Sequence, residues 1–424
     1  MKNVLVFPCG SEIGLEVNRA LTNSTHFTLF GGNSVNDHGK YVYRNYIADL
    51  PDIEEKNFIE EINRVIDEFK IDFIIPSHDS VILKMAQNQQ NIKATIITSC
   101  VETCEVCRSK AKTYKLFEKN IETPKVYSLK EEIKFPVFLK PDVGQGTKGT
   151  YKANKKEEID FYLKKDSTLL ILEYLSGKEY TVDCFTNKNG RLLFATGRER
   201  IRINNGISVN SKELFDNRFQ EIATIINNTL SFQGSWFYQV KERSTDELVL
   251  MEIAPRIAGT SALFRVKGVN FVQLSLFDKM GVDVSILCNN FDAEIDRALF
   301  SRFSSNVCYD YVYIDFDDTI IVNNLVNTDI MKFLYQSKNN GKKIVLLSKH
   351  KQDIKQSLSN FSISDLLFDE IIILKDDENK YEHITELSSI FIDDSFSERK
   401  TIYDKFHIPV FGLDSIEFLL LWKV

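Results

Sequence analysis

A chain of 424 residues and 48.9 kDa has room for two to four domains with ample buried core, which excludes a single small module. Hydrophobic residues make up 43% and charged residues 27%, with only 8 prolines and 18 glycines, a globular balance that excludes disordered and fibrous chains. Lysine and arginine total 53 against 60 acidic residues, a net charge of −7, so no overall positive field gathers nucleic acid or an anionic membrane, and a small-molecule substrate is expected.

The N-terminal run from Asn3 to Pro8, then CGSEIG, then helical spacing through Leu15, Val17 and Leu21 predict strand, glycine turn and helix, the opening of a parallel α/β domain. A second such unit is expected where FIEEINRVIDEF feeds the strand DFIIPSHD, so residues 1–108 read as one doubly wound domain. The 7 cysteines fall at irregular spacings without a secretory leader, which suggests free thiols, a reducing compartment and a cytoplasmic location. Cys100, Cys104 and Cys107 lack a well-placed fourth ligand for zinc, and His78 in PSHDS reads as a hydrogen-bonding loop residue. No run approaches the ~18 apolar residues needed to span a bilayer, and the terminal EFLLLWKV is too short.

Residues 109–305 change to short strands and hairpins (FPVFLKP, TLLILEYL, EYTVDCF, GRLLFATG, GSWFYQV, ELVLMEIAP) with helices such as ELFDNRFQEIATIINNTL between them, an α+β pattern. Lys140 ends a strand ahead of DVGQGTKG, and a fixed positive charge beside a glycine-rich loop suits phosphate. Glu173 and Glu179 are candidate acceptors for a base and a ribose. Gln239 and Glu252, on neighbouring strands, are candidate Mg²⁺ ligands, with Arg256 in the following turn.

A domain boundary is expected near Asn306, and residues 306–424 alternate strands YVYIDF, KIVLLS, EIIIL and SIFIDD with helices, a second parallel sheet. Asp315 and Asp317 follow one strand and are expected on the same side. Ser348, Asp393 and Asp394 close two others, so carboxylates and a hydroxyl converge on one crevice suited to Mg²⁺.

The ordered set DFDDT, LLS, Lys380 and FIDDSFSER resembles the haloacid dehalogenase-like phosphatases over residues 308–424. That resemblance implies a Rossmannoid domain without a large cap. Asp315 is then the nucleophile, Asp317 the general acid/base, and Ser348 and Lys380 (with Lys375 as alternative) hold the phosphoryl oxygens. Asp393 completes the metal site with Asp315 and the Asp317 backbone carbonyl, and Asp394 orients the metal's water.

The features from MKNVLVFPCGSEIG to about Leu287 resemble the ATP-grasp enzymes, particularly the biotin-carboxylase and carbamoyl-phosphate-synthetase-like branch. The implied fold is a doubly wound preATP-grasp domain and an ATP-grasp domain with a mobile lid at about 120–185. Lys112 and Lys140 are implied at the ATP phosphates, GQGTKG with Lys148 as the lid loop, and Glu173, Tyr174 and Leu175 as the adenine hinge. Glu179 is implied at the ribose, Arg198 and Arg200 near the transferred phosphate or acid, Gln239 and Glu252 on Mg²⁺ (or Mn²⁺), and Arg256 on the acyl-phosphate-like transition state. The family's usual EINPR reads EIAPR here, which puts Ala254 where a carboxamide ligand is expected.

The implied activity is an ATP-dependent carboxylate–amine ligase fused to a Mg²⁺ phosphatase acting on a related metabolite, phosphorylated or nucleotide-linked; the preceding-domain arrangement often dimerises in relatives, which suggests a homodimer without fixing the oligomeric state. The alternative is a phosphatase whose front domain binds ATP to regulate or scaffold.

Overall fold

Short apolar runs with no polar alternate face become strands covered on both sides. In KNVLVF, buried from Val4 to Phe7, this gives the centre of a five-stranded parallel sheet. The strand order is Asn45–Ile47, Phe27–Gly32, Lys2–Phe7, Phe73–Pro76, Thr95–Ile96. The helix Phe58–Phe69 covers one face with Phe58, Ile62, Val65 and Ile66, the i, i+4, i+7, i+8 stripe, and stops at Lys70 in a left-handed turn (φ 52°). The chain leaves Lys2–Phe7 and Phe73–Pro76 at the edge where the strand order reverses, so the turns Pro8–Glu12 and Ser77–Asp79 line one crevice.

The computed structural model describes residues 1–421 apart from 145, 245, 246 and 304. It divides into two units, Met1–Leu299 and one beginning at Phe300. The expected boundary near 306 moves earlier because Phe303 stacks edge-on against Phe418, and Val307 and Tyr309 pack on the second unit's core. Among the described residues no helix is long and apolar enough to cross a membrane.

The rest of the first unit holds two antiparallel sheets. A small one, in the order Val126–Tyr127, Leu169–Glu173, Val137–Pro141, Tyr151–Ala153, carries the helix Lys156–Lys165. A larger one runs Glu247–Ala254, Gly234–Ser244, Glu179–Thr186, Leu192–Asn204, Ile207–Leu214, Glu294–Asp296. The span of about 120–185 expected for a lid crosses a sheet boundary: Glu179–Thr186 pairs along its length with two strands of the larger sheet and belongs to it. The helix expected from ELFDNRF starts only at Asn217, where the Asp216 side chain accepts the Arg218 N–H, while Glu213 and Leu214 stay in a strand.

The second unit is a five-stranded parallel sheet, Glu370–Ile373, Lys343–Ser348, Tyr311–Ile314, Ser389–Ile392, Val410–Phe411. Between its first strand and the helix Thr328–Asn339 stands only a small hairpin, Ile321–Val322 with Leu325–Val326.

Candidate functional site

In the first unit Lys110, Lys140 and Glu252 act on one another through their charges. Lys140 ends the strand Val137–Pro141 and is 7% exposed. Its amine is pushed down to about 8, chiefly by burial and then by the charge of Lys110, against the pull of Glu252 and Glu179. Lys110 opens the helix Lys110–Phe117 and is held by the Asp142 carbonyl (3.1 Å); burial lowers its pKa too, opposed first by Glu252.

Glu252 lies directly opposite Gln239 in the ladder between Gly234–Ser244 and Glu247–Ala254, so the two side chains share a face. Arg200 reaches over the intervening strand Glu179–Thr186, binding Glu179, Gln239 Oε1 (2.8 Å) and the Gly206 carbonyl (2.7 Å), and leaves its own buried Nε–H unpartnered. Arg256 turns to the parallel sheet and grips Asp79 with Nε (2.5 Å) and Nη2 (2.9 Å), its guanidinium lying 5.1 Å from the Phe237 ring centre. Burial raises the Asp79 carboxyl, but the charge and hydrogen bonds of Arg256 outweigh it and hold it below the usual range. Burial keeps His78 below its ordinary value and so neutral near pH 7. Glu252, Gln239, Arg200, Arg256, Asp79 and His78 line a cavity of about 220 Å³.

Several expectations are corrected here. Lys112 faces solvent, because the buried face of its helix is Thr113, Tyr114 and Phe117, and that face includes Lys110. Arg198 lines the cavity but is 1% exposed, and its guanidinium is engaged by Asp183 (2.7 Å) and Thr260, unlike Arg200, which leaves its Nε–H unpartnered. Gln239, expected on a metal, already meets a guanidinium. Glu173 is gripped by two nitrogens of Arg243 (2.7 and 3.0 Å) and accepts the Lys125 N–H, which leaves the backbone of Tyr174 and Leu175 as the hinge candidate. Glu179 is shared between Arg200 and Lys241 (3.7 Å) instead of standing free for a ribose. Lys148 is exposed on the glycine-rich loop, and Gln145 of that loop lies outside the described residues, as do the last three residues of EFLLLWKV. Lys110 and Asp79 were not singled out from the sequence. The first was readable from the Tyr114/Phe117 spacing; the second has no local signal, since its partner is 177 positions away.

In the second unit Lys380 is 4% exposed and bridges Asp315 (2.8 Å) and Asp393 (2.6 Å), with Ser348 buried at the end of the next strand. Asp315, Asp393 and Asp394 each bring an oxygen within 4.8 Å of the others. Burial raises both Asp315 and Asp393, Asp393 to about 6, with Lys380 opposing. Asp317 departs from expectation. The strand ends at Ile314 and Asp318 takes a left-handed φ of 53°, so simple alternation fails. The Asp317 carboxylate lies outside that three-oxygen group and contacts His350 Nδ1 (2.9 Å), whose Nε2 reaches Ser357 Oγ (2.7 Å). Lys375 instead donates its backbone N–H to Glu378.

The backbone superposes with a TM-score of 0.57 on the biotin carboxylase domain of the Hydrogenobacter thermophilus 2-oxoglutarate carboxylase, a structure holding MgADP and bicarbonate, at 16% identity over 69% of this chain and 73% of that one. The chain has the ATP-grasp fold. Within the ATP-grasp unit, residues 165–293 match the profile of a family described as "ATP-grasp in the biosynthetic pathway with Ter operon". The chain is 43% identical over 63 residues to a D-alanine–D-alanine ligase of Fusobacterium nucleatum, 15% of this chain and 22% of that protein. It is 24% identical over 268 residues to the carbamoyl phosphate synthase large chain of Clostridium beijerinckii, 57% of this chain and 25% of that one. It thus spans about a quarter of the length of each of these curated relatives.

Proposed function

We propose that the first unit is an ATP-dependent ligase that activates a carboxylate as an acyl phosphate and passes it to an amine. The observation that carries this reading is the pairing of the buried Lys140 with the half-buried Lys110, both under the charge of Glu252, in an ATP-grasp fold. Two ammonium groups in a partly dehydrated site attract a polyphosphate strongly, because little water screens them. Likeness to a D-alanine–D-alanine ligase supports the bond type.

Lys140 and Lys110 would hold the phosphates, the Tyr174–Leu175 backbone the base, and Arg256, oriented by Asp79, the negative charge that grows on the acyl carbon's oxygens. Glu252 fits as a Mg²⁺ ligand, while Ala254 offers none, so this chain holds the ion with fewer side-chain donors than its motif normally supplies. Mg²⁺ bound there would neutralise the triphosphate. The departure at Ala254 favours one second reading, nucleotide binding with slow turnover.

The second unit is proposed as a phosphohydrolase of the haloacid dehalogenase-like type, supported by the contact of Lys380 with Asp315 and Asp393. The three clustered carboxylate oxygens fit Mg²⁺, which prefers hard donors. Asp315 would attack the phosphorus, Ser348 and Lys380 would hold the phosphoryl oxygens, and Asp317, anchored by His350, would protonate the leaving group.

ADP release by the full-length protein, assayed with carboxylates and amines added singly and together, tests the ligase. Release dependent on both, lost in Lys140→Ala and Glu252→Ala and retained in Asp315→Asn, is expected. ADP release indifferent to either substrate would favour a sensor.

A further inference from the structure

The cavity beside Glu252 and Arg256 extends past the nucleotide-facing groups to the crevice where the parallel sheet reverses its strand order. At that end its wall is Ser11, Glu12, Ser77, Gly259 and Arg297. An open α/β sheet gathers ligands at such a point, because helix N-termini and strand ends converge there.

Glu12 begins the ten-residue helix Glu12–Leu21, whose first turn is fixed by Ser11 Oγ accepting the Gly14 N–H (3.0 Å). Arg297 follows the edge strand Glu294–Asp296 and is anchored by its own N–H to the Val209 carbonyl (2.8 Å) and by Nη1 to the Ser208 carbonyl (3.3 Å). The two side chains meet at 3.0 Å, with Arg297 21% and Glu12 40% exposed. A half-exposed pair of this kind adds little stability, so its charges are available to a ligand. Gly259 stands against both: a Cβ there would lie 3.2 Å from Glu12 Oε2 and 3.3 Å from Arg297 Nη1. Its missing side chain leaves the pair open. On the nucleotide side of the same cavity the unpartnered Nε–H of Arg200, in a side chain 5% exposed, offers a donor to an anionic reactant.

We infer that Glu12 and Arg297 form the subsite for the acceptor, and that the acceptor is an α-amino acid bound as its zwitterion, ammonium to Glu12 and carboxylate to Arg297. This rests on the ligase reading and names its amine. Two opposite charges one carbon apart can replace the mutual contact of Glu12 and Arg297 without stranding either charge, whereas a simple amine would leave Arg297 uncompensated. In the transfer the ammonium gives one proton to Glu12. The freed amine forms the C–N bond as the acyl C–O bond to phosphate breaks, and the second proton leaves with the phosphate.

The test is calorimetric titration of the full-length protein, saturated with Mg²⁺ and a non-hydrolysable ATP analogue, with the free L-amino acids and with their N-acetyl and α-amide derivatives. At least one free amino acid is expected to bind, with both derivatives about tenfold weaker or worse, the loss set by one unpaired charged hydrogen bond. Arg297→Gln should erase the difference between acid and amide, and Glu12→Gln that between free and acetylated amine. No amino acid binding, or derivatives of the wild-type protein binding as well as the parents, overturns the subsite whether or not the variants fold. Retained analogue binding in that case leaves the ligase reading standing; failure to bind the analogue at all removes both.

Discussion

Lys140 carries an amine where water is scarce, and its titration is the most direct handle on the proposed nucleotide site. Only its ammonium form counters a phosphate, and with a pKa pushed down to about 8 that form declines as pH rises through 8. The free-enzyme parameter kcat/KM for ATP is therefore expected to fall above about pH 8, roughly tenfold per unit. Lys140→Arg should flatten the profile, since a guanidinium keeps its charge across the range. A wild-type profile level to pH 9.5 would show that Lys140 does not meet the nucleotide. Stability runs the other way: the unfolded lysine titrates near 10.4, so between about 8 and 10.4 the unfolded chain holds more protons and this group's contribution to stability rises with pH. How far single residues are legible in sequence is shown by the two lysines of SKAKTY. The strand-end position of Lys140 needed only local pattern. Choosing Lys110 over Lys112 needed the helix phase, which Tyr114 and Phe117 already carried at i+4 and i+7 from Lys110. Asp79 and His350 had no such cue, because their partners are brought to them by the tertiary fold.

Elements whose apolar spacing is regular, such as the helix Phe58–Phe69 and the strand Lys343–Ser348, coincide with their sequence patterns. The strand Ile207–Leu214 hid from them, because its inward side chains are Ser208, Asn210 and Ser211. Hydrogen bonds among themselves and to the neighbouring strand hold these groups, apart from the buried Asn210 Oδ1, which has no partner: the two serine hydroxyls lie 2.7 Å apart, and the Asn210 amide nitrogen donates to Glu294 (2.7 Å). Burial by hydrogen bonding leaves no hydrophobic alternation to read. The turn before that strand has a function at the same scale. Gly206, at φ 80°, sits so close to the glycine-rich loop that a Cβ would lie 2.7 Å from the Thr147 nitrogen and 2.9 Å from Gly146. Both the backbone sign and the space exclude a side chain. Gly206→Ala should push the two turns apart and loosen the loop proposed to close over the phosphates. The expected result is a rise in the KM for ATP of about tenfold, a loss of order 1.4 kcal/mol, with more rapid proteolysis between residues 140 and 150. Unchanged KM and cleavage rate would mean that the loop does not depend on this turn.

At the scale of the whole chain, each unit carries core clusters made wholly of its own residues, the second around Ile314, Phe333, Leu346 and Ile392 and the first around Val6, Val182 and Leu250. Cores of that independence predict two unfolding transitions with separate ligand responses. The ATP analogue should raise one. The other should answer to Mg²⁺, because in the second unit two buried carboxylates, Asp315 and Asp393, share the single ammonium of Lys380 and retain one excess negative charge. A divalent ion bound beside them relieves that charge and stabilises by about 2.7 kcal/mol at a hundred times its Kd. Asp393→Asn removes the excess charge by covalent means, so in chelator its transition is expected above that of the wild type, and its response to Mg²⁺ is expected to vanish. Differential scanning calorimetry of wild type and variant, in Mg²⁺ and in chelator, separates this from a merely structural role. If Asp393 only packed the site, the variant would melt lower than wild type in chelator and still rise with Mg²⁺, and the three carboxylates would not be a metal site.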